Sequence, residues 1–142
     1  MKLKTSELID EKLDWAVSIA LGHRPEKDFH SHGMTWNGWW ETAPYIYTKP
    51  NEYRRLPKYS TDWSKSGPII GREGISTFKY NKLNSSESDK WGAHKTVPRK
   101  AMDGVEYSAA LCLDGPTPLI SAMRCYVASK LGDVVEIPEE LQ

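Results

Sequence analysis

Apolar residues between Asp10 and Leu21 recur at the three- and four-residue spacing of an α-helix. Asp10 has a side chain that can cap the helix, and the acidic Glu11 suits the positive end of the helix dipole. Gly22 follows as the residue expected to end the helix. The pattern therefore predicts an N-terminal helix over residues 10–21, with an apolar stripe wide enough for burial on more than one side.

A second helix is predicted near the C-terminus, over residues 118–131. Thr117 is a cap former, Pro118 fits the first helical position, and Gly132 closes the segment. One face of this helix carries its large apolar side chains, which are Leu119, Ile120, Met123, Val127 and Leu131. We therefore expect this helix to be anchored in the core.

Four short segments between the helices have the character of β-strands. They cover residues 44–48, 75–80, 90–96 and 106–113. The second and third are expected to pair as a hairpin. Strands that separate two amphipathic helices favour an α+β fold, with a small antiparallel sheet packed with an N-terminal helix and a C-terminal helix.

Prolines, glycines and polar clusters indicate where regular structure is interrupted. Pro50 and Pro57 disfavour regular structure between them, and residues 68–73 are expected to form one helical turn that Gly74 ends. The other irregular segments are a mobile polar loop around 81–89, a polar loop over 95–104, and a tail over 133–142 with a short extended piece and a loose end. The length of 142 residues fits one domain, 1–142.

Charge and composition narrow the possible partners. The formal net charge is zero, which argues against a broad electrostatic grip on long nucleic acid. No apolar run reaches the length of a membrane span, so we expect a cytoplasmic protein without a membrane partner. The two cysteines, Cys112 and Cys125, show no CxxC pairing and are expected to be reduced thiols in the core.

Tryptophan and tyrosine are unusually frequent, with six Trp and seven Tyr against two Phe. Both carry an apolar face and a polar group, which suits partly open binding surfaces. Aromatic faces beside hydroxyl groups and an arginine are typical of sites for a nucleobase or a ribose phosphate. The candidate ligand-binding residues are Trp36, Trp39, Trp40, Ser60, Thr61, Asp62, Trp63, Arg72 and Arg124. The alternative is that these rings fill the core or an interface.

Signals for metal binding and catalysis are weak. His30 and His32 could lie on one side of a strand, but no third ligand has matching spacing, so no metal and no cofactor are predicted. Asp62, Glu73 and His94 are possible acid–base groups, although turn capping accounts for Asp62 and solvation for Glu73. We therefore expect a protein that is not an enzyme, with nucleotide cleavage as one alternative.

Three stretches of the chain resemble the small phage protein family that includes NinX of the lambdoid nin region. Two positions depart from the family pattern: Ser66 stands where a glycine is expected, and Gly71 where an acidic residue is expected. The resemblance covers the chain in order, and its last stretch is the most specific. The matching stretches are residues 4–8 with 13–17, residues 59–63 with 67–75, and residues 115–120 with 123–132.

The resemblance implies a phage or prophage origin and an accessory role in the host cytoplasm, without established catalytic residues. By analogy with other compact phage proteins, we expect a homo-oligomer that binds a nucleotide-derived signal of bacterial immunity and sequesters it. A protein that inhibits or adapts a host factor through its aromatic side chains is a second reading.

Overall fold

The computed structural model describes residues 1–25, 45–49, 52–80 and 90–141. This part of the chain contains helices α1 (Asp10–Ala20), α2 (Trp63–Glu73) and α3 (Pro118–Leu131), with short 3-10 helices at Thr5–Glu7 and Glu139–Leu141. The strands are β1 (Lys2–Lys4), β2 (Arg24–Pro25), β3 (Tyr45–Lys49), β4 (Glu52–Arg55), β5 (Ser76–Lys79), β6 (Trp91–Lys100), β7 (Glu106–Gly115) and β8 (Val134–Glu136).

The described strands form three small antiparallel sheets. β1 pairs with β8, β3 lies between β2 and β4, and β6 lies between β5 and β7. Together with the helices they confirm the α+β class. The predicted hairpin is also confirmed, because β5 and β6 pair with Ser76 opposite His94 and Lys79 opposite Trp91.

Helix α3 is the centre of the fold. It packs on the sheet of β5, β6 and β7, and it also contacts α1 and α2. Every residue from Leu119 to Ala128 is buried. The Thr117 hydroxyl accepts a hydrogen bond of 3.1 Å from the backbone N–H of Ile120, and Gly132 ends the helix with φ +92°. The prediction of a helix over residues 118–131 is therefore confirmed. The cap residues and the apolar periodicity indicate the same bounds in this segment.

One face of the β5–β6–β7 sheet packs on the core and the other is open. Ala93 and Val97 of β6 are buried, whereas His94 of the same strand is exposed, as is Cys112 opposite it on β7. Alternation along a strand sends successive side chains to opposite faces. The open face therefore carries side chains that no described element covers.

The polar loop predicted over 95–104 is wrong for most of its length. β6 continues to Lys100 and pairs with β7 throughout, with Pro98 opposite Ser108. Strand β5 ends its pairing at His94, so among the described strands this half of β6 pairs with β7 alone. A proline fits such an edge because the lost N–H need not serve two ladders.

Three further local features differ from the prediction. Helix α2 begins at Trp63 and not at Pro68, because the Asp62 side chain caps it. Strand β4 lies between Pro50 and Pro57, where we expected no regular structure. At the start of α1 the cap is Ile9, and Asp10 is the first helical residue with φ +49°.

The tail is better packed than expected. Its extended piece is β8, and beyond it Ile137 and Leu141 are buried in the core. The expectation of a loose end is therefore wrong for the segment from Ile137 to Leu141, because these two apolar side chains join the core cluster. The polar loop around 81–89 lies outside the described residues.

Candidate functional site

An aromatic group lies on the open face of the sheet. The Phe78 side chain is 39% exposed, and its ring lies over Gly92, which leaves no room there for a side chain. Its ring centroid is 5.4 Å from that of Tyr80 in an edge-on arrangement and 6.2 Å from that of His94. The sheet thus presents an aromatic surface, of the kind on which planar ligands stack.

Beside this surface is a cavity of about 780 Å³, at the corner where β7 leads into α3. Tyr80 takes part in both features. The lining combines an aromatic ring, charged groups of both signs, a hydroxyl and a thiol. Its residues are Ser6, Tyr80, Lys90, Cys112, Leu113, Asp114, Gly115, Pro116 and Arg124.

Arg124 brings a guanidinium group to this cavity from the buried helix α3. The residue is 8% exposed. Its Nε donates to the backbone carbonyl of Leu8 at 2.8 Å, and its Nη1 donates to that of Asp114 at 2.7 Å. Burial lowers the pKa of Arg124, and the carboxylates of Asp114 and Glu7 oppose this effect. Arginine nevertheless stays charged at physiological pH.

Tyr80 and Asp114 are joined across the cavity wall. The Tyr80 hydroxyl donates to Asp114 Oδ1 at 2.5 Å, which positions the ring and leaves the other carboxylate oxygen of Asp114 to accept further hydrogen bonds. Lys90 is exposed. Lys90 and Arg124 bring two positive charges to the described lining and Asp114 one negative charge, so the balance is +1.

Four of the predicted site residues lie around the start of α2. Trp63 is 54% exposed. Asp62 Oδ1 accepts hydrogen bonds from the Ser64 hydroxyl at 2.7 Å and from the Ser64 backbone N–H at 2.9 Å. These bonds, the hydroxyl first, lower the pKa of Asp62. Thr61 is exposed, whereas Ser60 is buried and donates its backbone N–H to Asp14. Capping and packing account for Asp62 and Ser60 without a ligand.

Arg72 lies at the other end of α2, in a charged cluster around Glu73. Glu73 Oε2 is 2.5 Å from the amino group of Lys95 and 3.9 Å from that of Lys130, and Arg72 Nε is 3.5 Å from Glu73 Oε1. Arg72 does not line the cavity. Trp36, Trp39 and Trp40 lie outside the described residues. Of the nine candidates, the structure brings Arg124 into the cavity, and the ligand-binding roles of all nine stay predictions.

The sequence reasoning missed the other cavity residues. Tyr80 and Lys90 flank the polar segment 81–89, and Cys112 and Asp114 alternate along β7. A strand assignment that ran to Gly115 would have placed both β7 side chains on one face. Arg124 aside, nothing in the local pattern joins these residues, because they come from different elements.

Two other features bear on the chemistry. In the part of the chain that is described, no three His, Cys, Asp or Glu side chains are grouped as metal ligands; His30 and His32 lie outside it. Cys125 is buried as expected, but Cys112 is exposed, and both thiols are free. Among the described helices, none has the length and apolar character needed to cross a bilayer.

The two departures from the family pattern have simple surroundings. Ser66 is fully buried, and its hydroxyl donates to the backbone carbonyl of Tyr59. A glycine there would leave that carbonyl without this donor. Gly71 is exposed, and a side chain built on it would meet open space. The acidic residue expected at that position would therefore fit without rearrangement.

Comparisons with known proteins agree with the resemblance seen in the sequence. No curated protein matches the chain. The sequence profile of a family described as bacteriophage P22 NinX matches residues 4–130, which is most of the 142-residue chain. This match includes Tyr80, Lys90, Asp114 and Arg124 of the cavity. The chain therefore belongs to the phage P22 NinX family.

Proposed function

We propose that this phage accessory protein binds a nucleotide-derived small molecule in the cavity beside Tyr80 and sequesters it without chemical change. The observation that carries the proposal is the lining of the cavity. It joins the Tyr80 ring, the Asp114 carboxylate and the cationic groups of Lys90 and Arg124 within about 780 Å³. Small-molecule sites are typically concave spaces of about 300–1,000 Å³ with a few polar groups.

Each part of a nucleotide has a matching group in this cavity. The Tyr80 ring can stack on a base, an interaction of about 1–3 kcal/mol. Asp114 has one carboxylate oxygen beyond the Tyr80 hydrogen bond, and carboxylates commonly accept hydrogen bonds from ribose hydroxyls. Phe78 and His94 extend the aromatic surface next to the cavity. These features support a ligand with a flat ring and several polar groups.

Sequestration rather than catalysis is favoured by the engagement of the acid–base candidates. Asp62 caps α2, and Glu73 is held by Lys95. His94 is exposed on the sheet, outside the cavity lining. We accordingly propose binding in the host cytoplasm by a homo-oligomer, as a defence against nucleotide signals of bacterial immunity.

Calorimetry against a panel of cyclic oligonucleotides and cyclic ADP-ribose isomers tests the proposal. We expect one member to bind at micromolar concentration and to be recovered intact by chromatography after incubation. Tyr80→Ala should weaken binding, since it removes the stacking ring. Tyr107→Ala, which removes an exposed tyrosine outside the cavity lining, is the matched control. A panel without any binder contradicts the proposal, and a consumed ligand contradicts sequestration.

A second candidate function is the inhibition or adaptation of a host protein. The turn between β6 and β7 supports it, because Met102 is fully exposed and Val105 and Tyr107 are mostly so. Exposed apolar and aromatic side chains are common anchors of protein interfaces. Capture of one host factor by the wild type, lost on Met102→Ser or Trp63→Ala and retained by Tyr80→Ala, would favour this function over ligand binding.

A further inference from the structure

We infer that Arg124 and Lys90 form an anion subsite in the cavity, and that it takes a phosphate group of the bound molecule. The inference rests on the proposed function for the rest of the ligand. It deepens that function, because it divides the cavity into a part for phosphate and a part for base and sugar.

The charge of Arg124 lies in a buried position beside the cavity. The residue is more than nine-tenths buried, yet none of the Asp and Glu residues in the described part of the chain forms an ion pair with it. Its partners there are two neutral carbonyls, those of Leu8 and Asp114. A buried cation without a paired anion is costly, and such a charge beside a cavity favours an anionic occupant.

The Arg124 guanidinium is held in place by hydrogen bonds that do not use all of its N–H donors. The hydrogen bonds to Leu8 and Asp114 use Nε and Nη1. Within the described residues no hydrogen bond uses Nη2, whereas a guanidinium offers five N–H donors in a planar fork. The two carbonyls therefore hold the group in place while donors remain for a ligand. Phosphate oxygens match this fork.

The charges next to Arg124 also favour an anion in the cavity. Lys90 is exposed on the same cavity, so a second cation can reach an anion bound there. The nearby carboxylate of Asp114 opposes an anion, but one of its oxygens accepts from Tyr80. The Ser6 hydroxyl, also exposed in the lining, adds a neutral donor. Lys90 and Arg124 act together against the Asp114 carboxylate in the lining, while the Glu7 carboxylate, outside the lining, also acts on Arg124.

The start of helix α3 lies close to the cavity but does not account for the subsite. Pro118 lacks an N–H, and Thr117 already binds the N–H of Ile120. Gly115 and Pro116 line the cavity at this point. Gly115 lies so close to the first turn of α3 that a Cβ on it would be 2.8 Å from the backbone nitrogen of Ser121. Side chains rather than the helix dipole therefore carry the proposed recognition.

The test titrates the protein with inorganic pyrophosphate, and then with one nucleoside monophosphate and its parent nucleoside, by calorimetry. We expect pyrophosphate to bind with an affinity that falls as salt is added. The monophosphate should bind more tightly than the nucleoside. Lys90→Gln should lower the affinities for pyrophosphate and for the monophosphate about threefold. Lys100→Gln, which neutralises an exposed lysine outside the cavity, should leave them unchanged.

Arg124→Lys is the second variant, because lysine keeps the charge but loses the fork. This variant should lower the affinity for pyrophosphate about tenfold or more, which is the effect of losing a charge-assisted hydrogen bond. Circular dichroism checks its folding; if this variant unfolds, Lys90→Gln decides. Absence of pyrophosphate binding, or binding that neither substitution weakens, overturns the subsite. If the nucleoside binds as tightly as its monophosphate, the proposed function stands and the phosphate subsite is wrong. If pyrophosphate binds but neither nucleoside nor monophosphate does, the subsite stands and the proposed function is wrong.

Discussion

The carboxylate of Asp14 on α1 accepts a hydrogen bond of 2.7 Å from the backbone N–H of Ser60, and both residues are buried. The bond holds the turn before α2 against α1. Burial raises the pKa of Asp14 to about 6, from an ordinary value of 3.8, although the Ser60 hydrogen bond opposes this. A group that binds its proton more tightly in the folded state makes the protein more stable as the pH falls.

The first prediction is a pH dependence of stability that Asp14→Asn removes. Between the unfolded pKa near 4 and the folded pKa near 6, the folded state binds more protons, so this contribution grows as the pH falls through the window. The wild type should gain about 2–3 kcal/mol relative to Asp14→Asn between pH 7 and pH 4. Urea unfolding across that range measures it. A difference between the wild type and Asp14→Asn that stays flat across this range contradicts the prediction.

Glu73 should show the opposite pH dependence. The hydrogen bond from Lys95 lowers the pKa of Glu73, with Lys130 and Arg72 adding to the effect and burial opposing it. Its stabilisation is therefore present above the ordinary pKa of 4.5 and is lost as the pH falls through the lower, folded value. At pH 7, Glu73→Gln should cost about 1–2 kcal/mol, because both partners are mostly buried. Chemical unfolding measures the loss, and Glu106→Gln, at an exposed position, is the control. An equal loss of stability in both variants would contradict the prediction.

Two glycines should respond differently to replacement by alanine. A Cβ at Gly115 would lie 2.8 Å from the backbone nitrogen of Ser121, whereas a Cβ at Gly92 would meet the end of the Phe78 ring. The backbone of α3 cannot move aside, but a half-exposed ring can. We expect Gly115→Ala to cost about 2–3 kcal/mol and Gly92→Ala about 1 kcal/mol. Unfolding midpoints measure both, and the reverse order would show that the ring is the more rigid neighbour.

The two thiols should differ in reactivity. Cys112 is exposed on the cavity, whereas burial raises the pKa of Cys125 to about 11. In the native protein, a thiol reagent such as Ellman's reagent should modify Cys112 quickly and Cys125 only on unfolding. Cys112→Ser should abolish the fast phase. A ligand that occupies the cavity should slow labelling of Cys112, and unchanged labelling with saturating ligand would place the binding site elsewhere.

Local signals in the sequence were sufficient where cap residues and periodicity agree. Helix α3 matches its predicted bounds, since Thr117, Pro118 and Gly132 mark both ends. The hairpin of β5 and β6 is local in the same sense. The start of α2 differs from its prediction because Pro68, which is typical of a first helical position, lies inside the helix here, and Asp62 forms the cap.

The amino-acid sequence by itself determined the fold class, the central helix and the family. The cavity was decided by tertiary structure, because its groups come from distant parts of the chain. Arg124 reaches the carbonyl of Leu8 across 116 positions, and Tyr80 meets Asp114 across 34. Helix caps and strand alternation are local features of the sequence. Contacts between distant residues depend on how α3 packs against the sheet, and no periodicity in the sequence encodes that packing.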